Sequence, residues 1–575
     1  MDDIEGFNAG WEANQPIHSE PPPREDAGRS YRESEPPGDM PFRCLGHDRG
    51  RYYFLPEGAG QVVALTARDL HSAAELVALA PLRWWEAAYP GRESFSTKMA
   101  GDAMMRACEG AGVYDPDALR GRGVWLDEGR TILHLGNRLL CDGQVIAPME
   151  APGRHIYEAS RPLPVDLAGP IDNKTASGLL RLCCQVAWAN PERDGRLLAG
   201  WLVIALACGA MPWRPHLWIT SEAGGGKTWV LDNIINPVLA GLALHVQSKT
   251  TEAGLRGMLR LDARPVVFDE AETQNDQDRA RLQQVLDLAR AASSEGGADI
   301  AKGTRDGGVQ LYRIRSCFVF SSINLGLDQA ADESRTIVLN IDPPQDKAER
   351  AAAFAKLKTT LLEVMQPGFS AGLLARTLGL LPTIRHNAEV LATAISASGV
   401  GRRTGDVLGV ILAGAYSLTS TRRLDPETAA AFLAERQWVK DTAQAAEAEP
   451  EWQRALYRLV QTETRVTNVN GKTEATTIGD MIAACAGHDI QGLMFADADM
   501  GLRRRGIRVN KGEVRIANRS EAAAAAFAGT PWASAWRATL ARTPGAKRDV
   551  AERFTPTLQD KAVSLPLRAL LRDGS

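Results

Sequence analysis

The eight cysteines of this 575-residue chain form no Cys-x-x-Cys pair, so neither a paired-thiolate zinc site nor a disulfide scaffold is expected. Several of them sit inside apolar runs, where a small buried thiol is the plain reading, and a reducing cytosol follows. Long hydrophobic runs are also missing. The longest covers fifteen residues, 197–211, between Arg196 and Pro212; that is too short for a bilayer span and suits a buried helix. The opening Met1-Asp2-Asp3-Ile4-Glu5 is acidic and unlike a signal peptide. These absences set aside secreted, zinc-ribbon and membrane-embedded classes.

What is present points to several domains. Hydrophobic residues make up 44% of the chain, and its length suits about three to four domains with real cores. The formal charge of −4 is unevenly laid out, with ten acids against three bases in residues 1–40 and fifteen bases against six acids in residues 501–575. An acidic head rich in Pro, Glu, Ser and Gly reads as a disordered arm over 1–42, and a basic end reads as a polyanion-binding region.

Along the chain, residues 43–150 show short strands and turns around a helical stretch at 72–88, which predicts a small α+β accessory domain. Residues 151–212, helical by apolar period and density from 175 to 211, lead into a core at 213–345, for which they form a helical buttress. Segments rich in Ala, Leu, Glu and Arg predict a helical subdomain over 346–470. From 471 to 575, helices at 478–486 and 495–505 precede a hairpin around Asn510-Lys511-Gly512, a winged-helix-like, basic domain. The fold class expected is therefore multidomain α/β.

The chemistry is most legible at Leu217-Trp218-Ile219-Thr220-Ser221-Glu222-Ala223-Gly224-Gly225-Gly226-Lys227-Thr228. A short apolar strand runs into a glycine-rich turn and then a helix-compatible segment. Glycines let backbone N–H groups converge on phosphate oxygens, Lys227 neutralises the β- and γ-phosphates, and the Thr228 hydroxyl is a Mg²⁺ ligand. Ala223, Gly224, Gly225, Gly226, Lys227 and Thr228 are thus the expected cradle for ATP. Ser221 departs from the pattern, which places glycine there and often asks it for unusual backbone angles.

Forty-two residues after Lys227, an apolar strand ends in Asp269-Glu270. In a Walker B reading, Asp269 holds the Mg²⁺ shell and Glu270 polarises the attacking water. A third apolar strand ends at Asn324, which either senses the γ-phosphate or caps the following turn. Eleven residues on, Arg335 is either an arginine finger acting on a neighbouring subunit or a surface ion pair. Between these motifs, residues 300–312 read as a hairpin about Asp306-Gly307-Gly308. It carries Lys302 and Arg305 toward DNA phosphates, or it is an ordinary solvated loop, and Arg313 and Arg315 serve the same role or a subunit interface. In the basic end, Arg503, Arg504, Arg505, Arg508 and Lys511 are candidate DNA contacts; the alternative is a solvated charge run or an acidic docking partner. Trp532 and Trp536, one helical turn apart, read as core.

With these motifs in place, residues 213–344 resemble the AAA+ helicase core of phage and prophage replication proteins, close to superfamily III helicases and the helicase half of phage primase-helicases. The resemblance covers about a quarter of the chain with specific motifs. Weaker likenesses lie at 41–46 with 50–54, at 130–136, at Leu412-Ala413-Gly414-Ala415 and at 530–536. The resemblance implies an AAA+ P-loop ATPase core, ATP and Mg²⁺ as cofactors, and a homo-oligomer, a hexameric ring, that unwinds single-stranded or forked DNA in the cytoplasm of a bacterial host. No primer-synthesis pattern is visible, so a primase would be a separate chain. The alternative is a DNA-binding AAA+ ATPase that loads or remodels replication proteins without unwinding.

Overall fold

The computed structural model describes residues 39–570, apart from 240, 272–274, 295–299, 304–308, 324, 328, 437, 440–441, 443–449, 468–472, 529 and 531. It divides into two compact units, Met1–Asp115 and Pro116–Ser575, so the division falls inside the 43–150 segment. In the first unit, strands β1 (Phe42–Asp48), β2 (Arg51–Pro56) and β3 (Val63–Thr66) form an antiparallel meander. Arg49 and Gly50 take positive φ (46° and 77°) at the β1–β2 turn, the conformation a two-residue hairpin needs to match strand twist. The helical stretch expected as one piece is two helices, Ala73–Leu79 and Leu82–Ala88. Ala80, held extended before Pro81 (φ −149°, ψ 154°), breaks it. Phe42, Phe54, Trp85, Tyr89 and Phe95 fill the core beneath.

The second unit opens with a parallel pair, β4 (Leu119–Arg120) with β9 (Ile156–Tyr157), enclosing a four-stranded meander. That meander comprises β5 (Gly123–Asp127), β6 (Arg130–His134), β7 (Leu139–Cys141) and β8 (Gln144–Ile146), paired in sequence order. Its turns again use positive φ, at Glu128-Gly129 and Asp142-Gly143. Next come two helices, Asn173–Cys184 and Pro191–Leu206, N-capped by Asp172 and Asn190. Every residue from Leu197 to Leu206 is buried, so the first ten residues of the apolar run are the end of a core helix, and the run closes in a short 3-10 turn at Cys208–Ala210. Gly200 faces Gly414 of helix Arg402–Ser417, and a Cβ on either would collide with the opposing backbone. The Gly414 motif is therefore a close helix crossing.

The centre is a five-stranded sheet of β10 (His216–Thr220), β11 (Leu244–Gln247), β12 (Val266–Asp269), β15 (Phe318–Ser322) and β16 (Thr336–Asn340), all parallel, in the order β11-β12-β15-β10-β16. β13 (Ile300–Gly303) and β14 (Val309–Tyr312) form a separate antiparallel pair. Strand period sorts the sheet's side chains onto two faces. Leu217, Ile219, Val267, Val319 and Leu339 join the large helical core, while Trp218, Val266, Phe268, Phe318 and Phe320 pack with helix Asp276–Ala292. Both faces are covered, which is why these strands read as nearly unbroken apolar runs.

Helices Lys347–Val364, Phe369–Ser396, Arg402–Ser417 and Pro426–Ala434 follow. Beyond them, helix Glu451–Val460 and the hairpin of β17 (Glu463–Thr467) and β18 (Thr473–Thr477) lead to helices Ile478–Cys485 and Phe495–Arg504. The expected wing, β19 (Ile507–Asn510) with β20 (Glu513–Ala517), is half of a larger object. With β21 (Lys547–Arg553) and β22 (Gln559–Pro566) it makes a four-stranded antiparallel sheet ordered β19-β20-β22-β21. Trp536 is buried and stacked on Phe527, centroids 5.9 Å apart. Among the described residues no helix is long and apolar enough to cross a membrane.

Candidate active site

In parallel α/β sheets, ligands gather beyond the carboxyl ends of the strands. At that edge β10 ends at Thr220, the glycine-rich turn follows, and a helix begins at Lys227. Gly224 and Gly226 take positive φ (75° and 106°), and a Cβ on either would point into open space. A Cβ on Gly225 would instead lie 2.5 Å from the Ser221 hydroxyl. Ser221 is buried and is not among the residues with positive φ, so the position that departs from the glycine pattern carries no backbone strain. The Lys227 ammonium donates to the Ser221 carbonyl (2.9 Å), the Ser221 hydroxyl (3.1 Å) and the Glu222 carbonyl (3.4 Å). Thr228 is exposed on the first turn. The helix loosens into a π-turn at Leu231–Ile235, a distortion that often marks functional helices.

Asp269 closes β12, half-buried, and its carboxylate accepts a hydrogen bond from the Glu270 amide at 2.9 Å. Glu270 is exposed and left-handed, φ 54°; that conformation costs energy in a side-chain-bearing residue and clusters at functional sites. Between these acids and the glycine-rich turn lies one strand, β15, and the register pairs Phe268 with Phe320 and Ile219 with Ser321. Two strand spacings thus place Asp269 roughly 10 Å from the end of β10. The end of β15 is tied to β10: Trp218 Nε1 donates to Ser322 Oγ (2.8 Å), and Thr220 Oγ1 donates to the Ile323 carbonyl (2.8 Å). Asn324, next along, lies outside the described residues.

Arg335 is not brought to this corner. It precedes β16, and its carbonyl accepts from the His216 amide at the amino end of β10, so it lies at the opposite edge of the sheet, roughly 15 Å from its own glycine-rich turn. Its guanidinium donates to Ser293 Oγ (3.1 Å) and the Ala331 carbonyl (2.6 Å). Burial, with Arg403 and Arg290 nearby, pushes its pKa below the usual arginine range.

The candidate DNA contacts separate into groups. Lys302 lies on β13 opposite Gln310; Arg305 lies outside the described residues. Arg313 pairs with Asp117 (3.4 Å), and Arg315 lies over the Trp125 ring, so both are engaged by the β4–β9 region. In the basic end, Arg503 pairs with Asp499 (2.8 Å) and Arg505 donates to the carbonyls of Gly501 and Arg465. Arg508 joins Arg515 on the shared carboxylate of buried Glu552. That polar face of the sheet continues through Glu513, which binds Arg515 (3.0 Å), Ser564 (2.8 Å) and Lys547 (2.6 Å). Lys547, with Ser564 and Arg515, draws the Glu513 carboxyl down to about 2. Arg504 and Lys511 are exposed, Lys511 at the β19–β20 turn.

The motif reading passed over His216. Buried in β10, its Nδ1 accepts from the Phe318 amide (3.2 Å) and its Nε2 donates to the Ala289 carbonyl (2.7 Å). It thereby pins the glycine-rich strand to β15 and to helix Asp276–Ala292. Burial lowers its pKa to about 4. A histidine inside an otherwise apolar strand was the available signal.

No protein-family model matches the chain. No curated protein matches it. Among solved structures, the chain is similar to one named "SCCmec type IV Cch - active helicase", with 12% identity over 90% of this chain and 91% of that one and a TM-score of 0.43. At that score the likeness carries no argument about this chain.

Proposed function

We propose that the chain is an ATP-dependent, ring-forming DNA helicase of the AAA+ class, acting in phage or mobile-element replication in the cytoplasm of a bacterial host. The observation that carries its ATPase half is the shared edge: the glycine-rich turn with Lys227 and Thr228, and the acids Asp269 and Glu270, stand at the carboxyl end of one parallel sheet with a single strand between. The open space beside Gly224 and Gly226 lets the backbone N–H groups of Ala223 to Thr228 approach the phosphates. Lys227 moves onto the β- and γ-oxygens. Thr228 and Asp269 present the hard oxygen donors that suit Mg²⁺, which when bound neutralises charge on the transferring phosphoryl group. Glu270, exposed beside them, takes the proton of the attacking water, and Asn324 orients that water.

In this reading Arg335, far from its own turn, serves the turn of an adjoining subunit in the ring. Lys302, Arg305, Arg504 and Lys511 supply sequence-tolerant phosphate contacts on single-stranded or forked DNA, and primer synthesis is left to a separate chain. One observation favours a second reading, a DNA-binding ATPase that loads or remodels replication proteins: of the basic-tract arginines, Arg505 and Arg508 are held by acceptors of the fold and Arg503 pairs with Asp499 on its own helix. The test is ATP turnover with single-stranded DNA, forked duplex or neither, together with strand separation. DNA-stimulated turnover with unwinding is expected; stimulation without unwinding selects the loader, and DNA-indifferent turnover overturns both.

A further inference from the structure

The glycine-rich turn has an interior, and Ser221 fills it. Its hydroxyl donates to the Glu222 carbonyl (2.9 Å) and accepts from the Lys227 ammonium (3.1 Å). The side chain is 3% exposed, and Gly225 lies so close above it that any Cβ there would reach 2.5 Å from Ser221 Oγ. Glycine at 221 would leave this space empty and the hydroxyl contact unmade. Lys227 is therefore folded back onto oxygens of the turn itself, with the two closer of these contacts both from Ser221.

We infer that Ser221 is a positioning residue that holds Lys227 withdrawn until a phosphate chain displaces it, so that it sets the affinity of the site without taking part in the chemistry. The inference rests on the nucleotide reading above. An ammonium has three donors, and a donor delivered to a phosphate oxygen must leave an acceptor it holds, of which the Ser221 carbonyl and hydroxyl are the two closer ones on the turn. The Ser221 hydroxyl is a charge-assisted acceptor inside a buried turn, and such bonds are stronger than neutral ones. Its loss stabilises the withdrawn state less and leaves the occupied state, where the ammonium faces phosphate, little changed.

The experiment measures dissociation constants for ATP and for inorganic tripolyphosphate, with kcat and the thermal midpoint, in wild type, Ser221→Ala and Ser221→Cys. The cysteine variant keeps the space filled, with a somewhat larger atom, and weakens the acceptor. Both variants are expected to bind both ligands roughly three- to tenfold more tightly, with kcat within about twofold of wild type. Unchanged or weaker binding in a variant that keeps its thermal midpoint overturns the inference and leaves the nucleotide reading standing. Wild-type protein that binds neither ATP nor tripolyphosphate overturns the nucleotide reading and the inference with it.

Discussion

The glycine-rich corner and the C-terminal sheet both concentrate charged side chains that a linear reading takes for ligand contacts, yet they dispose of them differently. At the corner, Thr228 and Glu270 are exposed, backbone strain is retained at Glu270, and the space beside Gly224 and Gly226 is open. In the C-terminal sheet, Arg508 and Arg515 share Glu552, Lys547 binds Glu513, and only Arg504 and Lys511 of the candidate contacts face solvent. Charges left exposed at the mouth of a strand end are available for chemistry. Charges paired across neighbouring strands are holding the sheet together.

The sharpest break of this comparison is at the corner. Lys227→Ala should abolish ATP binding, seen as loss of any calorimetric signal at millimolar nucleotide. Glu270→Gln should retain binding while turnover falls by roughly 10² to 10⁴, with no change in unfolding. A Glu270→Gln protein turning over at the wild-type rate would remove Glu270 from the reaction.

The C-terminal counterpart is Glu552→Ala, which strips two guanidinium groups of one buried carboxylate. It should destabilise the C-terminal region by about 3 kcal/mol in denaturant unfolding and leave ATP affinity untouched. Although burial works against ionisation of Glu552, the Arg515 and Arg508 hydrogen bonds win and hold its carboxyl below the usual range. Stability unaffected by the substitution, accompanied by weaker DNA binding, would reverse the assignment of Arg508 and Arg515.

Acid distinguishes the two regions as well. His216 is buried and neutral with its pKa lowered to about 4 from an ordinary value near 6.5. Its contribution is complete above about pH 6.5 and is lost as pH falls toward 4, because the unfolded chain then binds a proton that the fold refuses. The swing is on the order of 3 kcal/mol. The only histidine after residue 450, His488, is exposed. Circular dichroism between pH 7 and 4.5 should therefore show a loss of structure, and His216→Gln should reduce that dependence without abolishing it, because burial also lowers His134 to about 4.

Smallest of all, Arg504→Ala with Lys511→Ala should leave stability within about 0.5 kcal/mol and lower the salt dependence of DNA binding by about two phosphate contacts. An unchanged salt slope would place the DNA surface elsewhere.

How much of this was legible beforehand depends on the range of the interactions involved. The strand, glycine-rich turn and helix at 216–230 are contiguous, so apolar period and glycine spacing expose them directly. Asp269–Glu270 is a strand end read the same way. β21 and β22 were hidden because Lys547–Arg553 is largely charged and mimics a loop, even though Ala562–Leu565 is buried as the strand joins the core. The ion-pair face was half visible: a hairpin turning at Asn510–Gly512 pairs Arg508 with Arg515 on one side, but the Glu552 that binds both arrives from 44 and 37 residues away.

By itself, the sequence determined where the chain can turn, which stretches are buried, and where a glycine-rich turn joins a strand to a helix, since sterics and hydrophobic period act over a few neighbours. Only the tertiary structure decided that Arg335 stands at the far edge of the sheet, that Gly200 and Gly414 face each other, and that the basic tract is largely consumed within its own domain. Those outcomes depend on which strands become neighbours, and strand order comes from packing between segments that are distant along the chain.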